Sequence, residues 1–139
     1  MSRRTAPPGG WPPPDTASLD GRPVLLSPLA ADVAEAYFEV HPEDLERYGE
    51  LARAWEQHDT QHLLHWAIGD VEGHVDLIKQ VSWLAGVLEA RDFPVEHLAS
   101  NLDLAATVVE AQVEGGVPVA ERLRAAAAHV RSTPTFLSR

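Results

Sequence analysis

Apolar residues recur along most of this chain at spacings of three and four, the spacing of a helix face. From Ser27 to Val130 every periodic segment follows this pattern, and no segment alternates apolar and polar residues as a half-buried strand would. Short connections separate the segments. The pattern predicts an all-α protein built as a four- to five-helix bundle, with antiparallel or orthogonal packing.

Prolines and glycines divide the pattern into five predicted helices. The first begins with Ser27 as N-cap and Pro28 at the first helical position, and it ends before Pro42. The other four span about 42–69, 71–91, 94–114 and 118–132. The third is apolar around much of its circumference, which predicts a central position in the bundle.

Composition along the chain predicts three regions. Residues 1–24 contain six prolines and three glycines, so we expect a disordered leader there. Residues 25–133 form the helical bundle domain. Residues 134–139 form a tail, in which Phe136 and Leu137 could pack back onto the bundle.

The second predicted helix carries polar groups on a face that should be buried. The face consists of Leu45, Tyr48, Ala52, Trp55, Asp59, His62 and Trp66. A buried polar group without a partner costs about 1–3 kcal/mol. We therefore expect Asp59 and His62, one turn apart, to hydrogen-bond each other or to contact a ligand.

Three helical tryptophans predict either a packed aromatic core or the wall of a ligand cavity. In the second case a flat hydrophobic or tetrapyrrole-like ligand, such as a haem or a bilin, would bind there. His62 would be its polar contact or axial ligand, and Asp59 would orient the imidazole. The predicted cofactor-binding residues are His62, Asp59, Trp55, Trp66, Trp83 and Tyr48.

A metal site is the alternative interpretation of the same helix. His58, His62 and His65 follow each other at spacings of four and three, and neutral imidazole is a common metal ligand. A facing helix would have to supply further ligands. This interpretation predicts a metal-dependent enzyme or a metal store, whereas a solvated histidine edge would leave a plain protein-interaction scaffold.

Composition and charge narrow the functional classes. Cysteine is absent, which excludes disulfides and thiolate metal sites. The formal net charge is −10, which argues against nucleic-acid and membrane-surface binding. Arginine outnumbers lysine strongly, which is typical of a GC-rich bacterial genome. With no apolar span and no secretory signal, we expect a cytoplasmic protein.

Motifs for catalysis are missing, and the last predicted helix indicates close helix packing. Nucleotide-binding loops and nucleophile motifs do not occur, so we expect a protein that is not an enzyme. Four consecutive alanines beside Arg124 suit a close helix approach, either within the fold or across a homodimer. We expect the partners to be a small ligand or another protein.

Three short motifs resemble a known bacterial module. They are Glu46-Arg47-Tyr48-Gly49, then Asp59-Thr60-Gln61-His62, then Trp83 with Leu88, Arg91 and Pro94. Their order resembles the N-terminal helical domain found ahead of cobalamin-binding domains in bacterial regulatory and photosensory proteins, over about residues 29 to 110. The Asp-x-His-x-x-Gly signature of the cobalamin domain is absent. The resemblance therefore implies a helical sensory or regulatory module without direct cobalamin binding of that kind.

Overall fold

The computed structural model describes residues 12–137, which are mostly helical. A two-stranded hairpin precedes six helices: β1 Thr16–Leu19, β2 Arg22–Leu25, α1 Leu26–Val40, α2 Pro42–Tyr48, α3 Leu51–Val71, α4 Leu77–Ala90, α5 Val95–Gln112 and α6 Val117–Ser132. The predicted helical class is confirmed in outline. Within the described range no helix has the length and apolar character needed to cross a membrane.

The hairpin lies largely where the sequence predicts a disordered leader, so that prediction is wrong for residues 16–24. The two strands pair antiparallel around a two-residue turn, in which Asp20 and Gly21 have φ angles of 54° and 77°. Positive φ at both positions is what a tight hairpin turn requires. Leu19 is buried against the helices, and Gln61 of α3 donates a hydrogen bond to the Pro14 carbonyl at 2.8 Å. Residues 1–11 of the predicted leader lie outside the described residues.

The second predicted helix is two helices, because the chain turns at Gly49. This residue has a φ of 70°, and its N–H closes α2 by donating to the Leu45 carbonyl at 2.8 Å. A left-handed residue after the last turn is a common way for a helix to end. Leu45 and Tyr48 therefore belong to the short helix α2, whereas Trp55 belongs to the separate helix α3.

The third predicted helix begins later than the apolar pattern indicates. Gly73 has a φ of 88° and interrupts the helical course after α3. The Asp76 carboxylate then caps α4 by accepting from the Lys79 N–H at 3.1 Å. Asp70 on α3 accepts from the Leu77 N–H at 2.7 Å, which fixes where α4 starts.

Small residues bring α5 and α6 together, and this pair shares the largest interface of the fold. Both helices bury a row of alanines completely: Ala99, Ala105 and Ala106 on α5, and Ala120, Ala126 and Ala127 on α6. The alanine face of the last helix is therefore used within the fold. After α6, Phe136 packs back against His129, and its N–H donates to Glu89 at 2.7 Å.

Candidate functional site

A cavity of about 800 Å³ opens between α1, α2, α3, α4 and α5. Its volume falls within the range of about 300–1,000 Å³ typical of small-molecule sites. Aromatic rings form much of the wall, contributed by Tyr37, Phe38, Tyr48, Trp55 and Phe93. The turn at Gly49 creates part of this space, because it carries Tyr48 to a position where its ring centre lies 6.0 Å from that of Trp55.

Polar side chains from three helices reach the same cavity. Asp44 of α2, Glu56 and Asp59 of α3, and His97 and Asn101 of α5 all line it. Two arginines, Arg47 and Arg91, also border the space. The cavity therefore combines flat apolar walls with carboxyl and amide groups, the composition expected of a site that orients a small ligand.

A buried hydrogen-bonded chain links Glu56, Thr60 and Asn101. The Thr60 hydroxyl donates to Glu56 Oε2 at 2.9 Å, and Asn101 Nδ2 donates to Thr60 Oγ1 at 2.9 Å. Asn101 Oδ1 is buried and has no hydrogen-bond partner among the described residues. Burial raises the pKa of Glu56 well above its ordinary value, which favours the neutral acid.

Asp59 lies at the cavity wall, as the spacing of the aromatic face predicts. Its side chain is 15% exposed, and Oδ1 lies 3.1 Å from His58 Nδ1. Burial raises the pKa of Asp59 to about 6, although His58 and Arg91 oppose that shift. A carboxylate held in this way favours a positively charged or N–H-bearing ligand.

Three residues of the predicted ligand site lie elsewhere. Among the described residues that line the cavity, His62 and Trp66 do not occur; their rings contact each other with centres 5.5 Å apart. Trp83 is 49% exposed, so the prediction that it shares the core with the other tryptophans is wrong. Val81, Leu84, Ala85 and Leu88 form the buried side of α4, and Trp83 lies on its opposite side.

The predicted histidine triplet does not converge on one point. His58 and His62 are neighbours, with ring centres 4.8 Å apart. His65 stands seven residues after His58, which corresponds to about 10 Å along a helix, and it borders a separate small recess near His74. Burial lowers the pKa of His65. The prediction that these three bind one metal is therefore not supported by their positions.

A different cluster joins α1, α2 and α5. Asp44 is 4% exposed; its Oδ2 accepts from the Tyr37 hydroxyl and lies 3.0 Å from His97 Nδ1. Burial and the neighbouring Asp44 raise the pKa of Tyr37. The His41 and His97 rings contact each other with centres 4.0 Å apart and planes tilted by 31°. Among the described residues, His41, Glu43 and His97 form the group whose possible metal-ligand atoms come within 4.8 Å of one another.

Sequence reasoning misses this cluster because its members are distant along the chain. Glu43 and Asp44 stand in the first turn of a helix, where the macrodipole alone explains acidic residues, and His97 belongs to no apolar face. One signal in the sequence is the His41-Pro42 boundary, where a new short helix begins. In this helix Asp44 faces the protein interior. Periodicity within one helix cannot show which residues of another helix its side chains contact.

Comparison of the chain with protein-family models, with curated proteins and with solved structures found no match. The proposed function therefore rests on the geometry of the site.

Proposed function

We propose that this protein is a non-enzymatic sensory or regulatory module that binds a small, flat ligand in the aromatic cavity. The observation that carries the proposal is the cavity itself, which is large enough for such a molecule and brings the Tyr48 and Trp55 rings together with the Asp59 carboxyl group. A largely buried polar group at such a wall is stabilised when a ligand offers it a hydrogen bond.

The walls and polar groups define the chemistry of the ligand. Tyr48 and Trp55 favour a planar, apolar body that stacks or packs edge-on. The ionised Asp59 carboxylate accepts hydrogen bonds, so the ligand should carry N–H donors. A bilin-like tetrapyrrole with free pyrrole N–H groups fits this description, and so does a planar aromatic amine.

The ligand site proposed here replaces the one built around His62. Haem coordinated by His62 is disfavoured, because that imidazole does not line the cavity and the haem nitrogens offer no N–H donors. Trp55, Tyr48 and Asp59 remain from the sequence-based set, and Asn101 joins them. The sensory role is supported by the resemblance of the Asp59–His62 and Trp83–Pro94 motifs to regulatory helical modules.

The experiment is a titration of the purified protein with three probes: a bilin, haem and the planar amine 9-aminoacridine. Absorbance follows the tetrapyrroles, and fluorescence follows the amine. A Trp83→Phe background removes the emission of one exposed tryptophan, so that Trp55 at the cavity contributes a larger share of the remaining tryptophan signal. We expect saturable one-to-one binding of the bilin or the amine, and weaker binding of haem.

Asp59→Asn and Asp32→Asn form the matched pair of variants. Asp59 lines the cavity, whereas Asp32 is exposed on α1 and accepts from Gln112. Loss of one charge-assisted hydrogen bond should weaken binding of the amine about tenfold or more in Asp59→Asn and leave Asp32→Asn unchanged. The proposal fails if none of the three probes binds, or if both variants bind the amine as the wild type does.

A further inference from the structure

We propose that His41, Glu43 and His97 form a binding site for a divalent transition-metal ion, with Zn²⁺ as the best fit. Each side chain offers one ligand atom, and these atoms lie within 4.8 Å of one another. Glu43 Oε2 faces His41 Nδ1 and His97 Nε2, which are the nitrogens that would bind the metal. This site is separate from the histidine triplet of α3. Metal binding here does not depend on the cavity ligand, because the metal would bind ring nitrogens that face Glu43.

The distances between these atoms match those between ligands of a tetrahedral metal. Two ligand atoms, each about 2.0–2.2 Å from Zn²⁺, lie about 3.3–3.6 Å apart at a tetrahedral angle. Glu43 Oε2 lies 3.3 Å from His41 Nδ1 and 3.6 Å from His97 Nε2. The two imidazole nitrogens lie within 4.8 Å of each other, so the rings must approach by at most about 1.5 Å for all three atoms to reach a common centre.

The second nitrogen of each ring is already held by an oxygen. His97 Nδ1 lies 3.0 Å from Asp44 Oδ2, and His41 Nε2 lies 2.9 Å from Ser100 Oγ. When these nitrogens carry the protons and donate, the other two present lone pairs toward Glu43. A carboxylate behind a histidine is the usual arrangement that fixes the tautomer and raises the basicity of a metal-binding imidazole.

The support behind the site is rigid. Asp44 is 4% exposed and is held in turn by the Tyr37 hydroxyl, so His97 is anchored to the core. The His41 and His97 side chains are 13% and 14% exposed, while Glu43 is 57% exposed. The metal would therefore bind at the edge of the fold, with its fourth position open to solvent water.

The donor set selects among metals. Two imidazole nitrogens with one carboxylate oxygen suit Zn²⁺ and its neighbours in the first transition row. Mg²⁺ and Ca²⁺ prefer oxygen ligands and should bind poorly. Because protons compete for the imidazoles, metal affinity should fall as the pH is lowered toward about 5.

The test is calorimetric titration of the untagged protein with Zn²⁺, together with absorption spectra of the Co²⁺-loaded protein. We expect one Zn²⁺ per chain with a dissociation constant in the micromolar range or below, and Co²⁺ bands typical of a tetrahedral site. Glu43→Gln should weaken Zn²⁺ binding about tenfold or more. Glu46→Gln is the matched control, since Glu46 is exposed on the same short helix.

Glu43→Gln changes an exposed side chain, so the variant should fold as the wild type does, and its circular dichroism checks this. The proposal is overturned if the wild type binds no Zn²⁺ below millimolar concentration, or if Glu43→Gln and Glu46→Gln bind it equally. It is also overturned if binding is lost in His58→Gln but kept in His41→Gln, because the metal would then belong to α3.

Discussion

Asp44 Oδ2 and His97 Nδ1 lie 3.0 Å apart, although the two residues are 53 positions apart in the sequence. This contact ties the short helix α2 to α5. It also lies at the border between the aromatic cavity and the proposed metal site, since both residues line the cavity and His97 supplies a ring nitrogen to the metal cluster.

Replacing Asp44 tests the contribution of this contact to stability. Asp44→Asn keeps the shape of the side chain but removes the charge that faces His97 and the Tyr37 hydroxyl. We expect a loss of about 1–3 kcal/mol in the free energy of unfolding, because a charged, buried hydrogen-bond acceptor is removed. Urea denaturation measures it, and Asp32→Asn, at an exposed position, should change stability by less than about 0.5 kcal/mol.

The buried chain of Glu56, Thr60 and Asn101 makes a second prediction. Thr60→Val preserves the shape of the side chain and removes the hydroxyl that bridges the other two groups. The variant should lose about 1–3 kcal/mol of stability, since two buried polar groups lose their shared partner. Thr107→Val, at an exposed position on α5, serves as the control. Equal stability of the two variants would contradict the described network.

The raised pKa of Asp59 predicts a pH-dependent difference between the wild type and Asp59→Asn. The folded-state pKa of about 6 exceeds the 3.8 of an unperturbed aspartate, so the folded state holds this proton more tightly than the unfolded chain. The wild type should therefore lose stability relative to Asp59→Asn as the pH rises from about 4 to about 6, by about 2–3 kcal/mol in total.

This difference should change little below about pH 3 and again above about pH 7. Glu56 and His58 are present in both proteins, so the comparison reports the Asp59 carboxyl together with its interactions with these two neighbours. Denaturant unfolding at a series of pH values measures the difference. A difference that stays flat across this range would mean that Asp59 is solvated rather than held at the cavity wall.

The turn at Gly49 makes a fourth prediction. Its φ of 70° is a conformation that residues with a Cβ adopt at a cost, although a Cβ at this position would meet no other atom within 4 Å. Gly49→Ala should therefore cost about 1 kcal/mol or more through backbone strain alone. Thermal or urea unfolding tests this, with Ala54→Gly on α3 as a comparison in which helix propensity alone changes. No loss of stability in Gly49→Ala would argue for one continuous helix.

The sequence predicts the helices better than it predicts the contacts between them. Pro94 and Gly115 mark the limits of α5 correctly, because these residues act on the local backbone. Asp20-Gly21 is an equally local turn signal, but it lies among prolines that indicate a flexible leader. The break at Gly49 is hidden because the apolar spacing continues across it.

The candidate site is predictable only where one helix carries it. Trp55 and Asp59 follow a single face of α3, and the structure places both at the cavity, which Tyr48 reaches from α2. Asn101 and His97 come from another helix, and which residues they meet depends on how α3 and α5 pack. The prediction for Trp83 is wrong for a different reason: a large aromatic residue on an apolar helix need not face the core.

Binding of a planar probe by cavity-filled variants tests the central claim most directly. Ala52 is buried at the cavity wall, and Ala54, two positions along the same helix, is exposed. We predict that Ala52→Leu lowers the affinity for 9-aminoacridine or the bilin about tenfold or more and that Ala54→Leu binds as the wild type does. Equal binding by a correctly folded Ala52→Leu protein would contradict the account.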